Sequence, residues 1–274
     1  MQNLTVTLIQ QPLVWLDREA NLRHFSQLIE PLAGTTDLII LPEMFSSGFS
    51  MNPAPIAEPM DGITLQWLAK QASQCGAAIT GSFTVKENDQ FYNRMVFMRP
   101  NGEYHHYDKR HLFRMGNEHH RYQGGNERLI VDYLGWRICP MICYDLRFPA
   151  WSRNSYNDNK HDYDLLIFVA NWPQPRHQHW LSLLRARAIE NLSYVAGVNR
   201  LGKDGNNLDY SGNSALYDAW GNELINAESE ASCFSQTLDY QALQKTRQQF
   251  PAHLDADNFK LNTLNDLGSK QATR

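Results

Sequence analysis

Asp37-Leu38-Ile39-Ile40-Leu41-Pro42-Glu43 is a short apolar run that stops abruptly at a carboxylate, and Asp164-Leu165-Leu166-Ile167-Phe168-Val169-Ala170-Asn171 repeats its pattern later in the chain. Unbroken aliphatic runs suit strands buried on both faces. Pro42, which cannot donate to a strand ladder, ends the first run and leaves Glu43 at its tip. Each run is followed by a helical stretch, a strand and a hairpin. Read as corresponding strands of two similar halves, they predict two related sheets packed face to face with helices outside, an αββα sandwich. Alternation of strands and helices by itself fits one doubly wound sheet equally well.

Outward from these runs, the first half reads as strand 4–10, a helix near 17–32 and strand 37–42. The helix carries Leu22, Phe25, Leu28, Ile29 and Leu32 at the helical period. A helix near 63–75 turns Ile63, Trp67, Leu68 and Ala72 inward, strand 77–83 follows, and strands 91–98 and 103–108 pair through Pro100-Asn101-Gly102. Beyond a loop at 110–126, the second half reads as strands 128–133 and 136–142, a helix from about 149, strand 164–170, helix 177–191 and strand 193–199. A hairpin of 213–218 and 223–227 turning at Gly221-Asn222 closes it. No Gly/Ser/Pro-rich linker divides residues 1–240, which read as one domain. Residues 241–274 read as a C-terminal helix, begun by Leu243 and Phe250, and an Asp- and Asn-rich tail.

A chain of 274 residues supports one α/β domain with a sizeable core. Its formal net charge of −4 gives no electrostatic footprint for nucleic acid or an anionic membrane. No apolar stretch approaches the roughly 20 residues that span a bilayer. The start, Met1 to Ile9, is too short and uncharged for a signal peptide, so it reads as a first strand and the chain as cytoplasmic. Among the cysteines Cys75, Cys139, Cys143 and Cys233, the closest pair in sequence, Cys139 and Cys143, lies about 13 Å apart on a strand rising roughly 3.3 Å per residue. That is beyond disulfide reach. The adjacent pairs His105-His106 and His119-His120 point to opposite faces if extended, so no metal site is expected.

Three strand ends carry chemistry-bearing side chains. Cys143-Tyr144-Asp145-Leu146-Arg147-Phe148 follows the apolar run 136–142, Glu43 ends the first quoted stretch, and Lys109 lies in Tyr107-Asp108-Lys109-Arg110-His111-Leu112-Phe113 after a hairpin. Read singly, they are a packed cysteine and two solvated charges. Together they occupy the strand ends from which α/β folds build sites. The three segments resemble those of the nitrilase superfamily of carbon-nitrogen hydrolases: Leu-Pro-Glu, Lys-x-His-Leu-Phe and Cys-Tyr-Asp-x-Arg-Phe-Pro, in the family's chain order. The resemblance covers roughly residues 3 to 240 and is nearest to the ω-amidase branch, which hydrolyses the terminal amides of 2-oxoglutaramate and 2-oxosuccinamate.

The resemblance implies the nitrilase-type four-layer sandwich, a catalytic triad of Glu43, Lys109 and Cys143, a cysteine thioester, no cofactor, and a homodimer to which the C-terminal segment contributes. Tyr144, through its backbone N–H, would join Lys109 at the oxyanion, and Glu118, with Glu127 as the fallback, would be the second carboxylate beside the lysine. An ω-amide of a 2-oxo dicarboxylate also carries a carboxylate, so its pocket needs cations or donors. Arg147 and Arg176 are the candidates, with Arg147 read equally as a support of the loop after the nucleophile. Tyr144, Phe45 and Trp172 are the candidate walls. Asn199 and Arg200 read as structural hydrogen-bonders, and Arg185, Arg187 and Glu190 as solvated or interface charges. Two other readings stay open: another amidase of the superfamily, acting on deaminated glutathione, an N-carbamoyl compound or an aliphatic amide, and a catalytically silent binding protein on the same scaffold.

Overall fold

The computed structural model describes residues 2–257 and 259–261. The first half runs β1 (Leu4–Gln10), α1 (Arg18–Ile29), β2 (Leu38–Ile40), α2 (Ile63–Cys75), β3 (Ala78–Glu87), β4 (Gln90–Met98) and β5 (Tyr104–Asp108). The second begins with β6 (Val131–Tyr133), β7 (Trp136–Ile142), α3 (Pro149–Ser152) and a short hairpin of β8 (Tyr156–Asn157) and β9 (Lys160–His161). It continues through β10 (Leu165–Ala170), α4 (His177–Asn191), β11 (Tyr194–Asn199) and the hairpin β12 (Leu201–Lys203) and β13 (Asp209–Ser211). β14 (Ala215–Tyr217), β15 (Glu223–Asn226), β16 (Ser232–Leu238) and α5 (Tyr240–Gln249) complete it.

The strands form two six-stranded sheets, ordered β16-β1-β2-β3-β4-β5 and β6-β7-β10-β11-β14-β15. Each has an antiparallel edge strand, three parallel strands and two further antiparallel strands. The quoted runs become β2 and β10, third in their respective sheets, so the internal likeness is a likeness of topology.

Side-chain alternation sorts the first sheet's residues into two layers. Leu4, Val6, Leu8, Leu38 and Ile40 join one core cluster with Ile138, Ile142, Ile167 and Val169 of the second sheet. Ile9, Ile39 and Ile79 pack the other way, with Leu22, Phe25 and Ile29 of α1 and Leu68 and Ala72 of α2. Such two-sided burial is why β2 and β10 are apolar throughout. Asp17 caps α1 by accepting from the Ala20 N–H at 2.9 Å, and α2 ends at Gly76 in the left-handed conformation (φ 72°). On the far side, Trp180 and Leu184 of α4 lie in the core cluster shared with β11.

Several features depart from the sequence reading, which holds neither of the short hairpins β8–β9 and β12–β13. β16 was not anticipated because Ser232, Ser235, Gln236 and Thr237 break its apolar pattern, yet it pairs antiparallel along all of β1. A five-residue 3-10 turn over Cys143–Arg147 intervenes before the expected helix, which is only four residues long. α5 is seated on the core through Leu243 and through Arg247, which donates to Asp164 (2.6 Å) and to the Leu192 carbonyl (2.9 Å). Phe250 lies just past its end and is half exposed. The tail expected at a subunit interface falls mostly on 262–274, outside the described residues.

Gly197 in β11 marks a close approach of α4 to the second sheet: a Cβ there would lie 2.4 Å from Leu184 Cδ1 and 2.7 Å from Trp180 Cζ2. Overpacking of this kind costs about 1–3 kcal/mol. Gly197→Ala is expected to lower the midpoint of thermal unfolding followed by circular dichroism; an unchanged midpoint would show that α4 shifts freely on the sheet.

Candidate active site

Four strand ends converge at one edge of the sandwich. Glu43 follows β2, Lys109 follows β5, Cys143 follows β7 and Asn171 follows β10. Glu43, Lys109 and Glu118 are fully buried, and Cys143 is 8% exposed. The Lys109 ammonium donates to Glu43 Oε1 at 2.9 Å and to Glu118, whose Oε2 lies 3.0 Å away. Asn93, from the middle of β4, donates its side-chain amide to Glu43 Oε1 at 2.8 Å. The Asn171 backbone N–H meets Glu43 Oε2 at 2.7 Å, and its side-chain amide meets the Glu43 carbonyl at 2.6 Å. The Glu43 carboxylate is therefore held from three elements. Glu118 also accepts from the Phe113 N–H at 2.5 Å, which ties the loop after Lys109 back onto the cluster.

Cys143 and Met44 both have positive φ, 44° and 46°. Non-glycine residues in this region carry strain of order 1–3 kcal/mol, sustained only where surrounding structure holds them. Asp145 is the principal restraint at the nucleophile turn. Its buried carboxylate accepts from the Ile142 N–H (3.1 Å), the Tyr107 hydroxyl (2.7 Å), the His111 N–H (2.9 Å) and the His111 ring at Nδ1 (2.8 Å). One carboxylate thus joins the Cys143 turn to both sides of Lys109. From α4, Arg187 donates to the Leu146 carbonyl at 2.7 Å.

The charges are strongly unequal to those of a solvated site. Burial pushes the Cys143 thiol well above its ordinary range, Glu43 adds to the rise and Lys109 opposes it. Burial alone would weaken the Lys109 ammonium, but Glu118 and Glu43 outweigh it and hold its pKa well above the usual lysine range. Burial raises Glu118, opposed by Lys109 and reinforced by Glu43. The resting arrangement is a neutral thiol beside a cation shared by two carboxyl groups.

Cys143 opens onto a cavity of about 710 Å³. Tyr144, Arg147, Trp172 and Arg176 all line it, so the structure brings these four sequence candidates together with the thiol. The Arg147 guanidinium lies over the Trp172 ring (4.8 Å to the centroid) and contacts His179 Nδ1 at 3.0 Å; Arg176 lies over Phe113 at 5.6 Å. Phe45 does not belong here. The left-handed Met44 turns the chain back, the Phe45 N–H donates to the Ser82 carbonyl at 3.1 Å, and its ring is buried edge-on to Phe25 and Phe83 on the helix side. Glu127 is not among the partners of Lys109, whose second carboxylate is Glu118. Asn199 and Arg200 bond chiefly to backbone: Asn199 accepts from the Trp172 N–H (2.8 Å), and Arg200 donates to the Leu13 carbonyl (3.2 Å). Arg187, read as solvated or interfacial, is 4% exposed and reaches the nucleophile turn. Asn93 and Asp145 were missed because neither stands at a strand tip with an obvious chemical role. Among the described residues, no group of three or more His, Cys, Asp or Glu is placed to hold a metal ion, and no helix is long and apolar enough to cross a membrane.

Residues 5–248 match the model of the carbon-nitrogen hydrolase family. The chain belongs to that family. It is a hydrolase of carbon–nitrogen bonds, and its two-sheet sandwich is that of the nitrilase superfamily. It is 48% identical over 262 residues to omega-amidase YafV of Escherichia coli K12, covering 95% of this chain and 100% of that one. It is 32% identical over 254 residues to the 2-oxoglutaramate amidase of Bacillus subtilis 168, covering 92% and 96% of the two. The solved structure of XC1258 from Xanthomonas campestris, a CN-hydrolase superfamily protein with an arsenic adduct in its active site, matches with a TM-score of 0.93 at 48% identity, covering 96% of this chain and 100% of that one.

The raised thiol pKa has a direct consequence. A free cysteine is half ionised near pH 8.5; a group whose pKa is raised by burial and a neighbouring carboxylate loses its proton only at higher pH. Thiolate absorbance, read as the difference between wild type and Cys143→Ala, is expected to appear above that range. Ionisation of Cys143 below about pH 7.5 would contradict the charge assignment. Asp145→Asn is expected to lower kcat more than it changes KM, because it loosens the turn that presents the thiol; a pure KM effect would place Asp145 on the binding side.

Proposed function

We propose that this chain is an ω-amidase that hydrolyses the terminal amide of 2-oxoglutaramate and 2-oxosuccinamate, releasing ammonia and a 2-oxo dicarboxylate. The observation that carries the reading is the buried thiol of Cys143 in the wall of a cavity, beside a buried Glu43–Lys109–Glu118 cluster, in a chain so similar to proteins named omega-amidase and 2-oxoglutaramate amidase.

In the proposed reaction, Cys143 Sγ attacks the amide carbon while Glu43 takes the thiol proton, so no free thiolate is needed at neutral pH. The tetrahedral oxyanion is met by the Lys109 ammonium and the Tyr144 N–H, donors already oriented before the reaction. Losing one such donor costs on the order of 100-fold in rate or more. The carbon–nitrogen bond then breaks, Glu43 passes its proton to the leaving ammonia, and a thioester on Cys143 remains. Glu43 next accepts a proton from water as the water attacks the thioester, then gives it to Cys143 Sγ as the carbon–sulfur bond breaks; the new carboxylic acid departs and the thiol is restored. Glu118 keeps Lys109 in place and balances its charge. Asn93 and Asn171 orient the Glu43 carboxylate.

Arg147 and Arg176 are the proposed partners of the substrate's carboxylate, with Trp172 and Tyr144 as walls. Support comes from two guanidiniums placed on aromatic rings in the same cavity as the thiol. The reading also comprises a single catalytic domain within 1–240, a cytoplasmic location and a homodimer, on the strength of the family likeness.

Ammonia release from 2-oxoglutaramate should fall at least about 1000-fold in Cys143→Ala and Glu43→Gln, the scale lost when a nucleophile or its base is removed. Wild-type turnover in either variant would sink the mechanism. Failure of the wild-type chain to act on 2-oxoglutaramate, with turnover of deaminated glutathione instead, would move the substrate assignment within the family.

A further inference from the structure

The cavity extends well beyond what a five-carbon dicarboxylate monoamide occupies. Sites of about 300–1,000 Å³ hold drug-sized molecules, and this one, at about 710 Å³, lies within that range. Burial orders its lining: Cys143 is buried, Arg147 and Arg176 are half-buried, and the apolar Leu16, Met115 and Leu208 are exposed, with half-buried Trp15 and Met51 beside them. Met115 is 73% exposed and Leu208 47%. A cavity lined mainly by apolar side chains with a few charged groups suits a ligand that has an apolar part as well as a charge.

The outer wall is built rather than incidental. The half-buried Trp15 indole is clamped between two loops that tolerate only glycine against it. A Cβ on Gly205 would lie 2.2 Å from Trp15 Nε1, and one on Gly48, whose φ is +77°, would lie 3.0 Å from Cε3. The acid in the cavity lining, Asp204, is engaged within its own loop. It accepts from the Tyr210 hydroxyl (3.0 Å) and from the N–H groups of Asn206 (2.8 Å) and Leu208 (3.0 Å). It therefore makes no ion pair with Arg147 or Arg176, and an incoming carboxylate meets the guanidiniums without displacing a protein carboxylate.

A molecule matching this sequence of surfaces has a terminal amide, a carboxylate and an apolar extension, in that order from the thiol outward. We propose that the chain also removes the terminal amide of glutamine derivatives whose α-nitrogen carries an aromatic or aliphatic acyl group. These compounds keep the five-carbon spacing between amide and carboxylate that the ω-amidase reading requires, and the inference rests on that reading. The acyl group replaces the 2-oxo oxygen and lies outward, against Trp15 and Leu208. The reaction is the same hydrolysis: the terminal carbon–nitrogen bond breaks, ammonia leaves, water supplies the oxygen of the new carboxylate, and the N-acyl amide is untouched.

The test is ammonia release from N-phenylacetylglutamine and from 2-oxoglutaramate by the full chain and by Leu208→Asp and Met115→Asp, both at exposed positions. The wild-type chain should turn over N-phenylacetylglutamine. The ratio of its kcat/KM to that of 2-oxoglutaramate should fall roughly ten-fold in each variant, the scale of one apolar side chain's contact. Because it is a ratio, it is insensitive to the fraction of folded enzyme. Turnover of 2-oxoglutaramate with none of N-phenylacetylglutamine, or a ratio unmoved by both substitutions, would overturn the proposal and leave the ω-amidase reading intact. Turnover of neither, or of N-phenylacetylglutamine alone, would overturn the ω-amidase reading together with the proposal that rests on it.

Discussion

The ammonium of Lys109, fully buried and shared between Glu43 and Glu118, is the interaction on which the rest of this site depends. An unpaired charge in such a place is costly, and breaking a buried ion pair by removing one partner costs about 3–5 kcal/mol. The three groups must therefore arrive together. They come from the ends of β2 and β5 and from the loop beyond, so the cluster can close only when the first sheet is formed. The same charges set the chemistry. Burial, reinforced by Glu43 against the pull of Lys109, keeps the nearby thiol protonated, which makes a carboxylate base at the moment of attack the natural route to a nucleophile.

The paired topology of the two sheets explains how the thiol comes to meet that cluster. β2 and β10 are third in their sheets, and the residues just past them, Glu43 and Asn171, meet through hydrogen bonds of 2.7 and 2.6 Å. The site lies across the seam between the halves, neither of which holds all its parts. Asp145 performs a second joining, since its four donors come from the nucleophile turn and from both sides of Lys109. Strain at Cys143 and Met44 is tolerated where these links are densest.

Much of this was legible from residue order alone. Glu43, Lys109 and Cys143 stand where apolar runs stop, and Glu118 follows in a loop of polar residues. What local pattern cannot show is a polar side chain whose partner lies in a distant element. Asn93 looks like an interruption of β4 until Glu43 is placed opposite it. Arg187 sits on a helix whose inward positions are Trp180, Leu184 and Ala188, and only the three-dimensional path of the turn after Cys143 shows that its guanidinium is buried. Phe45 misled for the opposite reason: it is two residues from the carboxylate, yet the left-handed turn at Met44 sends it into the core. β16 carries the polar run Ser235-Gln236-Thr237 at the edge of its sheet, and its place is dictated by β1.

If the buried cluster drives amide cleavage, it does so through a covalent bond to Cys143. Acid-quenched samples taken across the first turnovers of 2-oxoglutaramate, with the protein's mass mapped to peptides, test it most directly. A transient acyl adduct is expected on the peptide containing Cys143, forming as ammonia is released and decaying as the 2-oxo dicarboxylate appears. An adduct on any other residue, or release of ammonia with Cys143 unmodified at every time point, would contradict it.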